Sequence, residues 1–308
     1  MASLVDLRLS QNAGLSGSLP EEWEAMNKLR FAWLDGASLS GSLPAAWARW
    51  GELEHLYLFD NQLTGSLPAE WASLSSLQRL HAGGNNITGP LPESWGGLAF
   101  LAVLNLANNA LSGTIPHSWG ALASLETLTL SHNNLAAGGG GALAEGSPWM
   151  APLPMAWAPL GFFSTHWWFP ARSPELKIWF RNVTATRSVL PKLKQLDLGG
   201  NPLNAPADDV LRCLCALQSL AALRLYNAGL YGPVGEGFNY YEYKVDRPVR
   251  HFGFSGLGSL DLSGNAVTEV YDALPSSLLT VNLMNNQLTG DTLRWTRLNA
   301  PVPVVAIQ

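Results

Sequence analysis

His55, Asp60 and His81 come nearest to a metal-binding set in this 308-residue chain. Two imidazoles with a carboxylate nearby can hold a transition metal. Two histidines on strand-like segments are also ordinary solvated surface, and no other Cys/His cluster completes a site. Cys213 and Cys215, in "RCLCAL", stand two residues apart, so a helix would point them to different faces. They read as small apolar core residues rather than a redox pair or metal ligands. Patterns for nucleophilic and phosphoryl chemistry are missing. "GGGG" at 138–141 has no following Gly-Lys-Ser/Thr to cradle a phosphate, and no H-E-x-x-H, G-x-S-x-G or kinase motif occurs. The chain reads as a non-catalytic protein without a cofactor.

What remains is the chemistry of binding. Phe31, Trp33, His55, Tyr57, Phe59, Asp60, Arg79 and His81 concentrate aromatic and ionisable side chains in one stretch, the composition typical of binding hot spots. The plainer reading is that aromatic residues suit exposed strand positions and pair across strands. Composition narrows the partner. Charged residues make up only 13% and the net charge is −5, with no Lys/Arg run, which argues against nucleic acid. The N-terminal "MASLVDLRLSQN" has neither the basic segment nor the apolar core of a signal peptide.

The elements that must position these residues are repeats. Stretches beginning at Leu29, Leu53, Leu77 and Leu101 share the form seen in "LEHLYLFDNQLTGSLPAEWASL". A first copy starts at Leu4 with one extra residue before Leu15, and a sixth, "LETLTLSHNNL", starts at Leu125. The L-x-x-L-x-L part predicts a short strand with inward leucines, as at Leu53, Leu56 and Leu58. Asn61, Asn85, Asn109 and Asn133 fall at the following bend, where an amide can both donate to and accept from backbone. Gly65 permits a bend and Pro68 fixes φ as the chain turns back. Trp23, Trp47, Trp71, Trp95 and Trp119 each follow that proline by three residues. In register they predict an apolar ladder behind the sheet, each indole N–H needing a partner at its edge. Stacked units bury one continuous core that no unit buries alone.

Residues 4–135, with their "LSGSLP", "LTGSLP" and "LSGTIP" stretches, resemble the plant-type leucine-rich repeat family. That family includes receptor-like kinase ectodomains and polygalacturonase-inhibiting proteins. The resemblance implies an α/β, right-handed leucine-rich-repeat solenoid with a concave parallel β-sheet, about ten repeats and two insertions. It also implies a second short strand and 3₁₀ turns on the convex side. Residues 1–135 form the regular block. Looser copies at 193–203, 220–230, 257–267 and 278–288 fill an irregular block over 191–308. There "ADDVLRCLCALQSL" (207–220) predicts a helix, and residues 235–256 predict a protruding hairpin whose strands flank a "DRP" turn.

Residues 136–190 break the pattern with a Gly-rich joint and a Trp/Pro-rich stretch. Within it, residues 146–171 contain no Asp, Glu, Lys or Arg but carry five prolines, which argues against a straight membrane helix. An insertion packed on the solenoid, a contact segment for a membrane or partner, and a retained intron all fit the abrupt composition. Asn86 and Asn182 head glycosylation sequons.

Along the repeats, the non-leucine strand positions form columns on the concave sheet. One reads Phe31, His55, Arg79, Val103, Thr127. The next reads Trp33, Tyr57, His81, Asn105, Thr129. A third holds Asp35, Phe59, Gly83, Ala107, Ser131, and a fourth includes Asp60, Asn108 and His132. The expectation is a receptor-like or inhibitor-like recognition module that binds a protein, peptide or glycan there. The alternative is an intracellular structural or scaffolding protein. The resemblance and the Asn86 sequon favour an extracellular or membrane-associated setting. The missing signal peptide favours a cytoplasmic or cytoskeletal one.

Overall fold

The computed structural model describes residues 2–136, 190–214, 217–235, 239–244, 247–252, 254–270, 274–289 and 304–306. Each L-x-x-L-x-L segment contributes a three-residue strand, among them Phe31–Trp33, His55–Tyr57, Arg79–His81, Val103–Asn105 and Thr127–Thr129. They belong to an 11-stranded sheet whose strand order follows the chain, built from parallel pairs. Ten strands come from repeat motifs. The last, Val304–Ala306, carries no such motif and pairs with Thr280–Asn282. The alternation of side chains along each strand sends Leu56, Leu80, Leu104 and Leu128 inward to a common core, where each is buried.

The chain returns along the convex side in two steps. Short parallel strands such as Ser38–Ser42 and Gln62–Thr64 form secondary sheets. Prolines then start five-residue 3₁₀ segments: Pro44 (φ −69°) before Ala45–Arg49 and Pro68 (φ −67°) before Ala69–Ser73. Behind the sheet the tryptophans stack as expected. Trp47, Trp71, Trp95 and Trp119 are fully buried, with ring centroids 6.3–6.5 Å apart and planes within 3–4°. Each indole Nε1 donates to a proline carbonyl one repeat back, for example Trp71 to Pro44 at 3.0 Å and Trp95 to Pro68 at 3.0 Å. Trp23, in the first copy, is only half-buried and stacks on Trp47. Trp50 extends the ladder where the next three repeats have leucine: it is buried against Trp47 and donates to the Trp23 carbonyl at 2.8 Å.

The bend asparagines make a second ladder. Asn85 Oδ1 accepts the Leu63 N–H at 3.0 Å while its Nδ2 donates to the Leu58 and Ala82 carbonyls. Asn61, Asn109 and Asn133 repeat the arrangement. The ladder runs through the long interruption: Asn201 Oδ1 accepts from Leu135 N, its Nδ2 donates to Leu130 O, and Leu128 sits opposite Leu196 in the sheet. Residues 137–189, with the Gly-rich joint, the 146–171 segment and Asn182, lie outside the described residues. Among the described residues, no helix is long and apolar enough to cross a membrane.

The later helix is shorter than 207–220. It spans Ala207–Leu214, and Leu217 and Leu220 then close three-residue turns onto Leu214 and Leu217. Leu74 and Leu77 do the same onto Trp71 and Leu74. The three-residue leucine spacing there belongs to the repeat, not to a helical stripe. Cys215 and the side chain of Cys213 lie outside the described residues. Asn239–Lys244 and Arg247–Phe252 pair antiparallel as a hairpin, but Arg247 and Pro248, expected in its turn, belong to the second strand, opposite Lys244 and Tyr243.

Candidate functional site

The sheet register places the expected columns side by side. Phe31 pairs with His55, His55 with Arg79, Trp33 with Tyr57, and Tyr57 with His81. The second column is a continuous stack. Trp33 and Tyr57 lie 4.1 Å apart at 6°, and Tyr57 and His81 lie 4.9 Å apart at 29°. The Arg8 guanidinium sits 5.9 Å from the Trp33 ring. The facing ring surfaces of Trp33, Tyr57 and His81 are therefore spent on one another. The Trp33 Nε1 is buried and has no hydrogen-bond partner among the described residues. Phe59 stands at 79° to Tyr57 and 61° to His81, and closes the run on the side of the bend.

Charge on this face is almost entirely paired. Asp6 holds Arg8, Glu54 holds Arg30, and Glu126 holds Lys194. Asp35, expected to project from the third column, is instead buried. It accepts from Ser10 Oγ at 2.6 Å and Gln11 Nε2 at 3.3 Å, partners supplied by the first repeat. Two charged groups of the concave columns have no hydrogen-bond or ion-pair partner among the described residues: the Arg79 guanidinium and the Asp60 carboxylate. Both are exposed, and they flank the aromatic run on adjacent repeats.

Beside Asp60 the surface dips. A hollow of about 240 Å³ is lined by Phe59, Asp60, His81, Asn105 and Asn108 over a floor that includes Gly83 and Gly84. It exists because one repeat has glycine in both the third and fourth columns. A Cβ on Gly84, whose φ is +65°, would stand 2.3 Å from Asp60 Oδ1, so the carboxylate leans over the notch. Asp60 and Asn108 themselves adopt positive φ, 55° and 53°, a conformation that Asp and Asn tolerate.

His55 and His81 belong to different columns, and among the described residues no group of three or more His, Cys, Asp or Glu side chains is placed to hold a metal. Burial pushes the His81 pKa below its usual value, and the charges of Arg79 and His55 add to this; burial and Arg79 do the same to His55. Both rings are thus neutral at pH 7. A histidine that resists charging in the fold binds fewer protons than it does unfolded, so stability falls as pH drops through its unfolded value near 6.5. Thermal midpoints measured from pH 7.5 to 5 should decline, and His81→Gln should flatten part of that decline. An identical decline in the variant contradicts the assignment.

A second polar group was missed. His132 Nε2 lies 3.2 Å from the Tyr226 hydroxyl, and Asp197 lies nearby, its Oδ1 accepting from Gly199 N at 3.0 Å and its Oδ2 3.9 Å from Arg224. Burial raises the Asp197 pKa against the opposing pull of Gly199 and Arg224, and burial also raises that of Tyr226. Extending the columns past the interruption through Gln195, Asp197 and Gly199 would have found the group. Unlike Arg79 and Asp60, its members satisfy one another.

Residues 91–135 match the leucine rich repeat family, and residues 52–74 and 76–98 each match a leucine rich repeat. No curated protein matches the chain. Among solved structures, the chain superposes on the PEPR1–AtPEP1 structure with a TM-score of 0.66 and 24% identity, over 92% of this chain and 32% of that one. The Arabidopsis receptor kinase HAESA, in complex with the peptide hormone IDA and the co-receptor SERK1, gives 0.65 and 24%, over 99% and 43%. A plant ice-binding protein gives 0.60 and 21%, over 98% and 76%. The fold is a leucine-rich-repeat solenoid like that of plant receptor ectodomains. The chain spans less than half the length of the two receptor chains.

Proposed function

We propose that this protein is a non-catalytic recognition module that binds a peptide, or an extended segment of a protein, across the second to fourth repeats of its concave sheet. One observation carries the reading. The unpaired Arg79 and Asp60 flank the stack of Trp33, Tyr57 and His81, while the other charged groups described on the concave columns already have partners. The sheet holds these groups in place before any ligand arrives, so their ordering cost is not charged to binding. The stacked rings disfavour a glycan, because sugars pack on aromatic faces and here the facing surfaces are spent on neighbouring rings. A peptide can use ring edges, the Tyr57 hydroxyl and the two charges.

The likeness to HAESA, bound to a peptide hormone in its structure, supports the ligand class. An extracellular setting follows from the same reading. Asn86 would carry a glycan there: it is exposed at the bend beyond the concave sheet, beside the buried Ile87.

The test is selection of a displayed random-peptide library on the immobilised protein, followed by counter-screening on Trp33→Ala/Tyr57→Ala. Enriched peptides should lose binding to the double variant. Enrichment that persists there overturns the concave site.

A further inference from the structure

The hollow beside Asp60 gathers oxygen acceptors around one carboxylate, and its wall also carries the Asn105 and Asn108 side-chain amides. The Asp60 carboxylate overhangs it without a partner. Ala107 O and Asn105 Oδ1 lie 3.0 and 3.2 Å from where a Gly83 side chain would begin, so both border the space that glycine leaves open. The Asn105 amide is held with its oxygen toward the backbone N–H of Ala107, at 3.0 Å. Phe59 supplies an aromatic wall, a surface that tolerates a cation. His81, on the same rim, carries no charge at pH 7 to repel one. Arg79 does carry charge, but it lies in the first column. Its charge reaches His81 on the rim, whereas Asp60 occupies the fourth column, beyond the end of the strand.

We propose that this hollow is the specificity pocket for a basic side chain of the ligand, a guanidinium above all. The guanidinium has five N–H donors in a planar fork and no acceptor, the complement of the carboxylate, carbonyl and amide oxygens gathered here. At about 240 Å³ the space suits one side chain rather than a whole small molecule. Asp60 supplies the charge, and Gly83 and Gly84 supply the room. This assignment rests on the peptide-binding reading of the same face, and deepens it by naming what the peptide must carry.

The experiment titrates N-acetyl-arginine amide into the full chain and follows the backbone amide resonances of Gly83 and Gly84. The neutral isostere N-acetyl-citrulline amide runs as the control. Saturable shifts are expected with the arginine probe. Affinity should be about tenfold weaker in Asp60→Asn, since one charge-assisted contact is lost, and the citrulline probe should produce no saturation. Asparagine tolerates the positive φ of position 60, so the variant keeps the fold, and its unfolding midpoint verifies this. Equal response to both probes, an unchanged affinity in Asp60→Asn, or no saturation with arginine overturns the pocket. Failure here is separable from failure of the wider reading. If library-selected peptides need Trp33 and Tyr57 but carry no basic residue, the peptide site stands and the pocket falls.

Discussion

Replacing Trp71 with alanine should lower the free energy of unfolding by about 3–5 kcal/mol, the cost of deleting a large aromatic from a packed core. Trp71 is fully buried, with Trp47 6.5 Å away on one side and Trp95 6.3 Å away on the other. Its removal opens a void and takes the indole donor from the Pro44 carbonyl. A solenoid is stabilised by contacts between neighbouring repeats, so a hole in the middle of the ladder weakens two interfaces at once. Trp23→Ala should cost clearly less, because Trp23 is half-buried and stacks only on Trp47. Chemical denaturation of both variants measures the difference. Equal losses would mean that the ladder is not what joins the repeats.

Asn85→Ala should cost about 2–3 kcal/mol, although the residue is small and polar. Its Oδ1 accepts the buried Leu63 N–H, and alanine leaves that donor without a partner. The carbonyls that lose the Asn85 amide fare better. Leu58 O also receives Asn61 Nδ2, and Ala82 O also receives Asn109 Nδ2. The Leu63 amide is therefore where the effect concentrates. Hydrogen exchange should accelerate there more than at the neighbouring strand amides. Asn85→Asp should not rescue stability: it keeps the acceptor but sets a buried carboxylate against the Leu58 and Ala82 carbonyls. A loss under about 1 kcal/mol in Asn85→Ala would mean that water or a shifted backbone replaces the amide.

Both ladders were legible in the sequence because a fixed 24-residue interval brings like residues into register, and the register then assigns them to core, bend or display. The same interval placed Trp33 beside Tyr57 and Tyr57 beside His81. Three features escaped it for physical reasons. Asp35 is buried by Ser10 and Gln11, which belong to the first copy, the one with an extra residue, so its column position alone misleads. The group around Asp197 and Tyr226 lies beyond the long interruption, where spacing no longer indicates which residues are neighbours. The hollow beside Asp60 depends on side chains that are absent, at Gly83 and Gly84, and on a carboxylate left without a partner. Periodicity shows where a residue stands but not whether its charge has been satisfied.

Frame and display are separate in the proposed function: Trp71 is packed between Trp47 and Trp95 in the core, while Trp33 and Tyr57 stand on the concave sheet as the proposed contacts. Calorimetric titration of a library-selected peptide into wild type, Tyr57→Ala and Trp33→Ala, with thermal midpoints recorded on the same samples, tests that division directly. The affinity should fall at least tenfold in each variant, as expected of aromatic hot spots, while the midpoints stay within a few degrees of wild type. Unchanged affinity in both variants, or affinity lost only in step with folding, would contradict it.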